Sequence, residues 1–175
     1  MSHVIPRNDD IGSPIPVPGD PMTAGLGPGA WANRADHPDL TVDGRPKIVP
    51  IRADTTFYLD GRDPDPRGME VVGFDGLVAG TVAEVWVDRS EPQLRYLEVL
   101  VEATGRLVLL PITFCRFDVV RRRVRVQSIK AVHFSQVPAT RSFNEVTLLE
   151  EDKIQAYYGA GTLYADPSRI EPAIL

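Results

Sequence analysis

The chain contains 175 residues, with one cysteine, three histidines and a formal net charge of −5. Its hydrophobic residues (43%) and charged residues (25%) lie near the averages of globular proteins, which argues against full disorder, collagen-like repeats and a disulfide framework. The acidic balance also argues against nucleic-acid binding, because phosphates are recognised by a basic surface.

The apolar runs of the sequence are too short to cross a membrane. The longest of them, such as residues 107–112, fall far short of the roughly 20 residues that a spanning helix needs. Residues 1–7 lack the apolar core of a signal peptide, so we predict no secretory signal and a reducing, cytoplasmic setting.

Residues 1–68 are predicted to form an extended strap with only short regular elements. The first 69 residues hold 11 of the 16 prolines and 8 of the 14 glycines, which disfavour helices and strands. In a free tail, the apolar side chains of this coil would have nothing to pack against. We therefore expect the strap to lie over another surface. These side chains are Trp31, Leu40, Ile48, Val49, Ile51, Phe57 and Tyr58.

Residues 69–141 are predicted to form a compact β-barrel or sandwich. Short runs of β-branched and aromatic residues alternate with charged or glycine-containing turns, as is typical of strands. The period-two alternation of residues 123–127 indicates a strand with one wet face, and residues 102–105 indicate a hairpin turn. The predicted strands are residues 70–74, 80–87, 95–101, 106–110, 114–119 and 123–129, with residues 131–134 as a possible seventh.

Residues 142–175 are predicted to form a helix followed by an irregular tail. Ser142 or Asn144 can cap the helix, and Gly159 and Gly161 are expected to end it. The acidic residues that favour its N-terminal half are Glu145, Glu150, Glu151 and Asp152. The approximate apolar stripe consists of Val146, Leu149, Ile154 and Tyr157.

Motifs for catalysis or metal binding are weak. The glycine-rich residues 25–29 follow no strand and precede no Lys-Ser/Thr pair, so they indicate a structural turn. Cys115 lies within an apolar strand pattern, which predicts a buried, inert thiol. His3, His37 and His133 are far apart and have no cysteine at ligand spacing. We therefore predict neither an enzyme nor a metal site.

Two charged stretches leave alternatives open. The basic run at residues 121–123, together with Arg125, suits anionic lipid headgroups or the carboxylates of a partner, and the plain alternative is a solvated hairpin. The loop at residues 88–92, together with Arg95, is either an ordinary polar connection or a proton relay. Neighbouring, partly desolvated carboxylates have raised and coupled pKa values, which would let them exchange protons near neutrality.

Six motifs, spread from the strap to the helix, follow the pattern of one family. They are GLGPGAW at residues 25–31, KIVP at 47–50, VWVD at 85–88 followed by Glu91, RYLEV at 95–99, LLP at 109–111 and NEVTLLEEDKI at 144–154. Through them the chain resembles, over roughly residues 20–170, the H subunit of the purple-bacterial type photosynthetic reaction centre, whose cytoplasmic part contains a PRC-barrel.

The resemblance implies a mainly β protein, with a small PRC-type β-barrel, an extended N-terminal strap and a C-terminal α-helix. It implies a non-catalytic subunit of a type II, quinone-reducing reaction centre that caps the cytoplasmic face of the L and M subunits, stabilises them and conducts protons toward the secondary quinone. This chain alone is expected to bind no cofactor. Bacteriochlorophyll, bacteriopheophytin, quinones and non-haem iron are expected in the partner subunits, with this chain peripheral on the photosynthetic inner membrane.

The resemblance also assigns roles to individual residues. The residues implied to lie on or beside the proton path are Asp88, Glu91, Arg95, Asp43 and Glu145. The residues expected to bind partner subunits are Trp31, Lys47, Glu150, Glu151, Arg121 and Arg122.

The sequence departs from the family pattern in two places, and these departures limit which properties of the family can be assigned to this chain. Family members commonly begin with a membrane-spanning helix, which this sequence lacks. Either a separate polypeptide supplies the anchor, or processing removes it, or contacts with partner subunits suffice, and we favour a separate transmembrane anchor chain or a cleaved anchor. A light-harvesting antenna is a further possible partner. The family's histidine pair at the proton entrance is matched here by Asp43 and Arg45, so inhibition by zinc should weaken.

The main alternative function is that of a PRC-barrel protein that binds a partner other than a reaction centre. PRC-barrels also occur in ribosome-maturation factors and in soluble adaptor proteins. The helix motif, the Trp31 strap and the acidic charge argue against those roles. A small hydrolase has only scattered serines and histidines in its favour.

Overall fold

The computed structural model describes residues 22, 30–32 and 34–169. The predicted turn at residues 25–29, residue His3 and the last part of the predicted tail lie outside the described residues. The strands are β1 (Ile48–Pro50), β2 (Glu70–Val72), β3 (Val78–Asp88), β4 (Gln93–Val101), β5 (Leu107–Pro111), β6 (Cys115–Asp118) and β7 (Arg123–Val126). The α-helix, α1, is Leu148–Tyr164, and short 3₁₀ helices are Ile51–Ala53, Ile112–Phe114, Ala131–Gln136 and Pro167–Arg169.

The strands form one sheet in the order β5-β4-β3-β2-β7-β6, and β1 adds to β3. All pairs are antiparallel except β2 with β7. The long β3 pairs with β2 near its start and with β1 at its end, and register shifts occur along its pairing with β4. Such irregularities increase the twist of a strand. The sheet curls into a half barrel, which confirms the predicted mainly β fold with a small barrel and a C-terminal helix.

The hydrophobic core is formed by buried side chains of the sheet, of α1 and of the segments between them. Its largest fully buried side chains include Trp86, Tyr96 and Tyr158. The Tyr158 hydroxyl donates a hydrogen bond of 3.0 Å to the carbonyl of Leu109, so the helix is attached to β5 by a polar contact within an apolar surface. The predicted alternation in β7 is confirmed, because its valines are buried and Arg125 is exposed.

The possible seventh strand at residues 131–134 is wrong. These residues belong to the 3₁₀ helix Ala131–Gln136, which begins with a hydrogen bond from the His133 amide to the Lys130 carbonyl. The turn places Phe134 fully in the core. A short apolar run does not distinguish a buried strand from a buried turn of helix, and here core packing decides.

The predicted ends of the helix are also wrong. The N-cap is Thr147 rather than Ser142 or Asn144: its hydroxyl accepts a hydrogen bond from the Glu150 amide, and the Glu150 carboxylate accepts one from the Thr147 amide. This reciprocal capping box satisfies two backbone donors that would otherwise lack partners.

The two glycines expected to end the helix lie inside it. At Gly161, a Cβ atom would lie 2.5 Å from the carbonyl oxygen of Ser128 and 2.3 Å from Cγ2 of Ile129. The glycine therefore permits α1 to pass close to the segment after β7. Of the predicted stripe, Val146, Ile154 and Tyr157 are buried and Leu149 is half-buried.

The described part of the strap contacts the first turns of α1. The Ala32 amide donates to the Asp152 carboxylate at 3.2 Å, and the ammonium of Lys153 lies 5.7 Å from the centre of the Trp31 ring. The amides of Leu148 and Leu149 donate to strap carbonyls. These contacts satisfy free donors at the start of the helix and hold the strap against it.

Candidate functional site

A row of ionisable side chains runs from the strap, past the end of β3, to the first turn of α1. We call it the charge chain. Its members, in spatial order, are Asp39, Lys47, Asp88, Arg95, Glu151 and Tyr96.

Asp88, the last residue of β3, is at the centre of the charge chain and its side chain is fully buried. One carboxylate oxygen accepts hydrogen bonds from the amides of Ser90 (2.8 Å) and Glu91 (3.3 Å). This arrangement arises because the chain turns directly after β3, which brings the following amides back onto the aspartate side chain. The backbone of the predicted relay loop is therefore fixed by Asp88.

The second carboxylate oxygen of Asp88 faces two cations. It lies 3.6 Å from Nζ of Lys47 and 3.4 Å from Nη1 of Arg95. Lys47 reaches this position because the antiparallel register of β1 and β3 places Ile48 opposite Asp88. Its Nζ also lies 3.8 Å from the Asp39 carboxylate. A buried carboxylate needs such partners, since an unpaired buried charge is costly.

The other end of the charge chain reaches α1 through Glu151. One of its oxygens lies 3.8 Å from Nη2 of Arg95 and accepts a 2.6 Å hydrogen bond from the Tyr96 hydroxyl. Burial raises the pKa of Glu151, and the hydrogen bond from Tyr96 and the charge of Arg95 oppose this shift only in part. Burial also raises the pKa of Tyr96, so its hydroxyl remains a donor.

The distances limit what the charge chain can do. Direct proton transfer needs heavy atoms about 2.6 to 3.2 Å apart, and only the step between Tyr96 and Glu151 lies in that range. The other steps measure 3.4 to 3.8 Å. An arginine side chain also keeps its protons in proteins, so it does not pass a proton on by releasing one. The charge chain is therefore a fixed pattern of charge, along which protons would move only through intervening water.

Glu91 differs from its neighbour Asp88 because its side chain is exposed. Its carboxylate accepts a 3.0 Å hydrogen bond from the side-chain amide of Gln93, and its own backbone amide donates to Asp88. The structure thus brings together three of the five predicted proton-path residues, Asp88, Glu91 and Arg95.

The remaining two predicted proton-path residues, Asp43 and Glu145, are exposed. Asp43 accepts hydrogen bonds from the Thr41 hydroxyl (3.1 Å) and from Nε of Arg45 (3.2 Å). Its own backbone amide, the Thr41 hydroxyl and the charge of Arg45 hold the pKa of Asp43 below its ordinary value. Within residues 34–169, neither carboxylate forms a hydrogen bond or ion pair with the charge chain.

The predicted partner-binding residues fall into two groups. Glu150 is buried, and its two oxygens accept the amides of Thr147 and Arg141. Lys47 and Glu151 belong to the charge chain, and Trp31 is half-buried against the helix. Arg121 and Arg122, in contrast, are exposed in the turn between β6 and β7.

Sequence reasoning missed the buried carboxylate of Glu98 on β4. Nη1 and Nη2 of Arg52 each donate a 2.9 Å hydrogen bond to the Glu98 carboxylate, and the Trp86 indole donates one of 3.2 Å. Arg52 also lies 3.6 Å over the ring of Phe143, so it joins β4 to the segment before α1. The available signal was a glutamate between the apolar residues Leu97 and Val99, where a buried charge requires a cation.

The described residues give little support for a metal site, a nucleophilic cysteine or a membrane-spanning helix. No group of three or more His, Cys, Asp or Glu side chains within them could hold a metal ion. Burial raises the pKa of Cys115, so its thiol is not a ready nucleophile. In the same part of the chain, no helix combines the length and the apolar character that spanning a membrane requires.

Two protein-family models match the chain. Residues 3–53 match the photosynthetic reaction centre, H-chain N-terminal region. Residues 61–133 match the PRC-barrel domain. The first match contains most of the strap, including β1, the second contains β2 to β7, and together they cover most of the sequence.

Proposed function

Because the chain belongs to the family of photosynthetic reaction centre H subunits, we propose that it caps the L and M subunits of a type II, quinone-reducing bacterial reaction centre. H subunits are structural components of reaction centres. In this proposal the chain lies at the cytoplasmic face of the photosynthetic membrane and catalyses no reaction. The bacteriochlorophyll, bacteriopheophytin, quinones and iron belong to the partner subunits.

The observation that carries the proposal is the charge chain. It links the strap through Lys47, the barrel through Asp88 and the helix through Glu151. These are the three segments that contain the family's motifs, and partly buried ionic contacts hold them in one arrangement. A subunit that stabilises its neighbours has to present such a preformed surface, because a flexible one would lose entropy on binding.

We further propose that protons reach the secondary quinone past the loop at residues 88–92. Glu91 supports this role because its exposed carboxylate can exchange protons with water, while its backbone is fixed by Asp88. Asp88, held between Lys47 and Arg95, supplies a fixed negative charge behind it. Water molecules between these groups would complete steps that are too long for direct transfer.

The proposal that the chain caps the L and M subunits is tested by purifying it from its native membrane without denaturant and recording an absorption spectrum. We expect near-infrared bacteriochlorophyll bands to co-purify with the chain at a constant ratio. A solubilised membrane sample with its pigment proteins intact, from which the chain elutes alone, would contradict the proposal. That result would favour the alternative of a soluble PRC-barrel adaptor or ribosome-maturation-type protein.

A further inference from the structure

The hairpin formed by β6 and β7, residues 115–126, concentrates positive charge in an acidic protein. It contains five arginines and one acidic residue, whereas the whole chain has a net charge of −5. The proposed functions of the charge chain and of Glu91 do not involve this hairpin.

Apolar side chains occupy the tip of the same hairpin. Val119 is 51% exposed and Val120 is 96% exposed, directly before Arg121 and Arg122. Phe117, on the adjoining strand, is 45% exposed. Single exposed apolar residues are common on protein surfaces, but here three of them share one hairpin with the basic residues.

The register of the hairpin leaves part of its positive charge uncompensated. Arg116 lies directly opposite Arg125, and both are exposed. Like charges in this relation destabilise a strand pair. The acidic neighbours Asp118 and Glu70 pair with two other arginines, Arg121 at 3.2 Å and Arg123 at 3.3 Å. An external anion would relieve the repulsion between Arg116 and Arg125.

We propose that the β6–β7 hairpin docks the chain on an anionic lipid surface, with Val119 and Val120 in the headgroup region and the arginines on lipid phosphates. The size of the apolar tip favours a membrane over a protein partner. A stable protein interface buries about 800 Å² on each side, which two valines at a turn cannot provide. A membrane surface accepts shallow apolar insertion and attracts neighbouring basic side chains.

The test is sedimentation of the purified full-length chain with vesicles. We expect binding to vesicles of phosphatidylglycerol mixed with phosphatidylcholine, little binding to phosphatidylcholine alone, and a loss of binding as salt screens the charges. Failure to bind the anionic vesicles at low salt would overturn the proposal. This assay involves no other subunit, so its outcome is independent of the reaction centre proposal.

Matched variants locate the contact. The double variant Arg116→Gln/Arg125→Gln should weaken vesicle binding by about tenfold or more. The control Arg45→Gln/Arg62→Gln removes the same charge from exposed positions elsewhere and should bind like the natural chain. Equal weakening in both pairs would overturn the proposal, because the attraction would then depend only on net charge.

A second pair of variants tests the apolar tip. Val120→Ser should weaken vesicle binding several-fold, whereas Val42→Ser, at an equally exposed valine in another loop, should not. Circular dichroism and thermal unfolding verify that each variant keeps its fold. If the hairpin variants retained full vesicle binding but lost association with the reaction centre, the hairpin would be a protein contact and the lipid proposal would be wrong.

Discussion

At Glu151, the effect of burial on the pKa of the side chain exceeds the opposing effect of its interaction partners. The carboxylate receives a hydrogen bond from Tyr96 and faces Arg95, and both interactions favour its charged form. Removal from water disfavours that form more strongly, so its pKa is raised. The two partners therefore orient Glu151 and only partly compensate for its burial.

The raised pKa of Glu151 predicts how stability depends on pH. Its folded-state pKa lies above the ordinary value of 4.5, so its contribution to stability is complete below that value and is lost as pH rises through the folded-state pKa. We expect Glu151→Gln to remove this loss, because glutamine has no proton to release. Relative to the natural chain, the variant should therefore be more stable at neutral pH than near pH 4.5, which means that its free energy of unfolding is larger there by comparison.

Urea unfolding at several pH values measures this difference. Glu102→Gln, at an exposed glutamate in the turn after β4, is the matched control and should show no such trend. A relative stability of Glu151→Gln that stays constant or declines from pH 4.5 to neutrality would contradict the assigned direction.

At the scale of elements, the residue at which α1 ends depends on the segments that the helix packs against. Glycine is a poor helix former, yet the helix continues through Gly161 to Tyr164. The reason is the close passage of the helix over Ser128 and Ile129, where any side chain would collide. The energy gained from this packing exceeds the local preference of glycine to end a helix.

The substitution Gly161→Ala distinguishes the effect of helix propensity from the effect of packing. Helix propensity predicts a more stable protein, and packing predicts a less stable one. Propensity alone would stabilise the helix by about 1 kcal/mol. The collision with the Ser128 carbonyl should instead destabilise the protein by roughly 1 to 3 kcal/mol, measured by thermal or urea unfolding. Gly61→Ala, at a position with open space around it, should change stability little. A stabilised Gly161→Ala protein would show that the contact is not tight.

At the scale of the whole molecule, the exposed and the buried carboxylates have different tasks. Asp88 and Glu98 are buried and paired with cations of the strap, Lys47 and Arg52, so they fix the strap against the sheet. Glu91 is exposed beside this framework. In the proposed assembly, the buried groups hold the surface in shape and the exposed group exchanges protons.

Glu91→Gln should slow the second, proton-coupled electron transfer to the secondary quinone, on the order of tenfold or more, because an amide cannot carry a proton. The measurement is flash absorption spectroscopy on the intact reaction centre. Glu102→Gln, at the opposite end of β4, should leave this rate unchanged. If both variants transferred the second electron at the natural rate, the loop would have no part in proton delivery.

Sequence alone indicated the six main strands, the helix and the family, because these depend on local alternation of side chains and on contiguous motifs. It also indicated that Asp88, Glu91 and Arg95 come together in space, since they lie within eight residues of one another. These features need no knowledge of which distant segments meet.

The tertiary structure alone decided the rest. The pairing of Ile48 with Asp88, which brings Lys47 to the buried carboxylate, joins residues far apart in sequence. The turn at residues 131–136 and the continuation of α1 through Gly161 depend on packing against other elements. Burial, partner and register are properties of the assembled fold, because the free energy of a side chain depends on the neighbours that folding gives it.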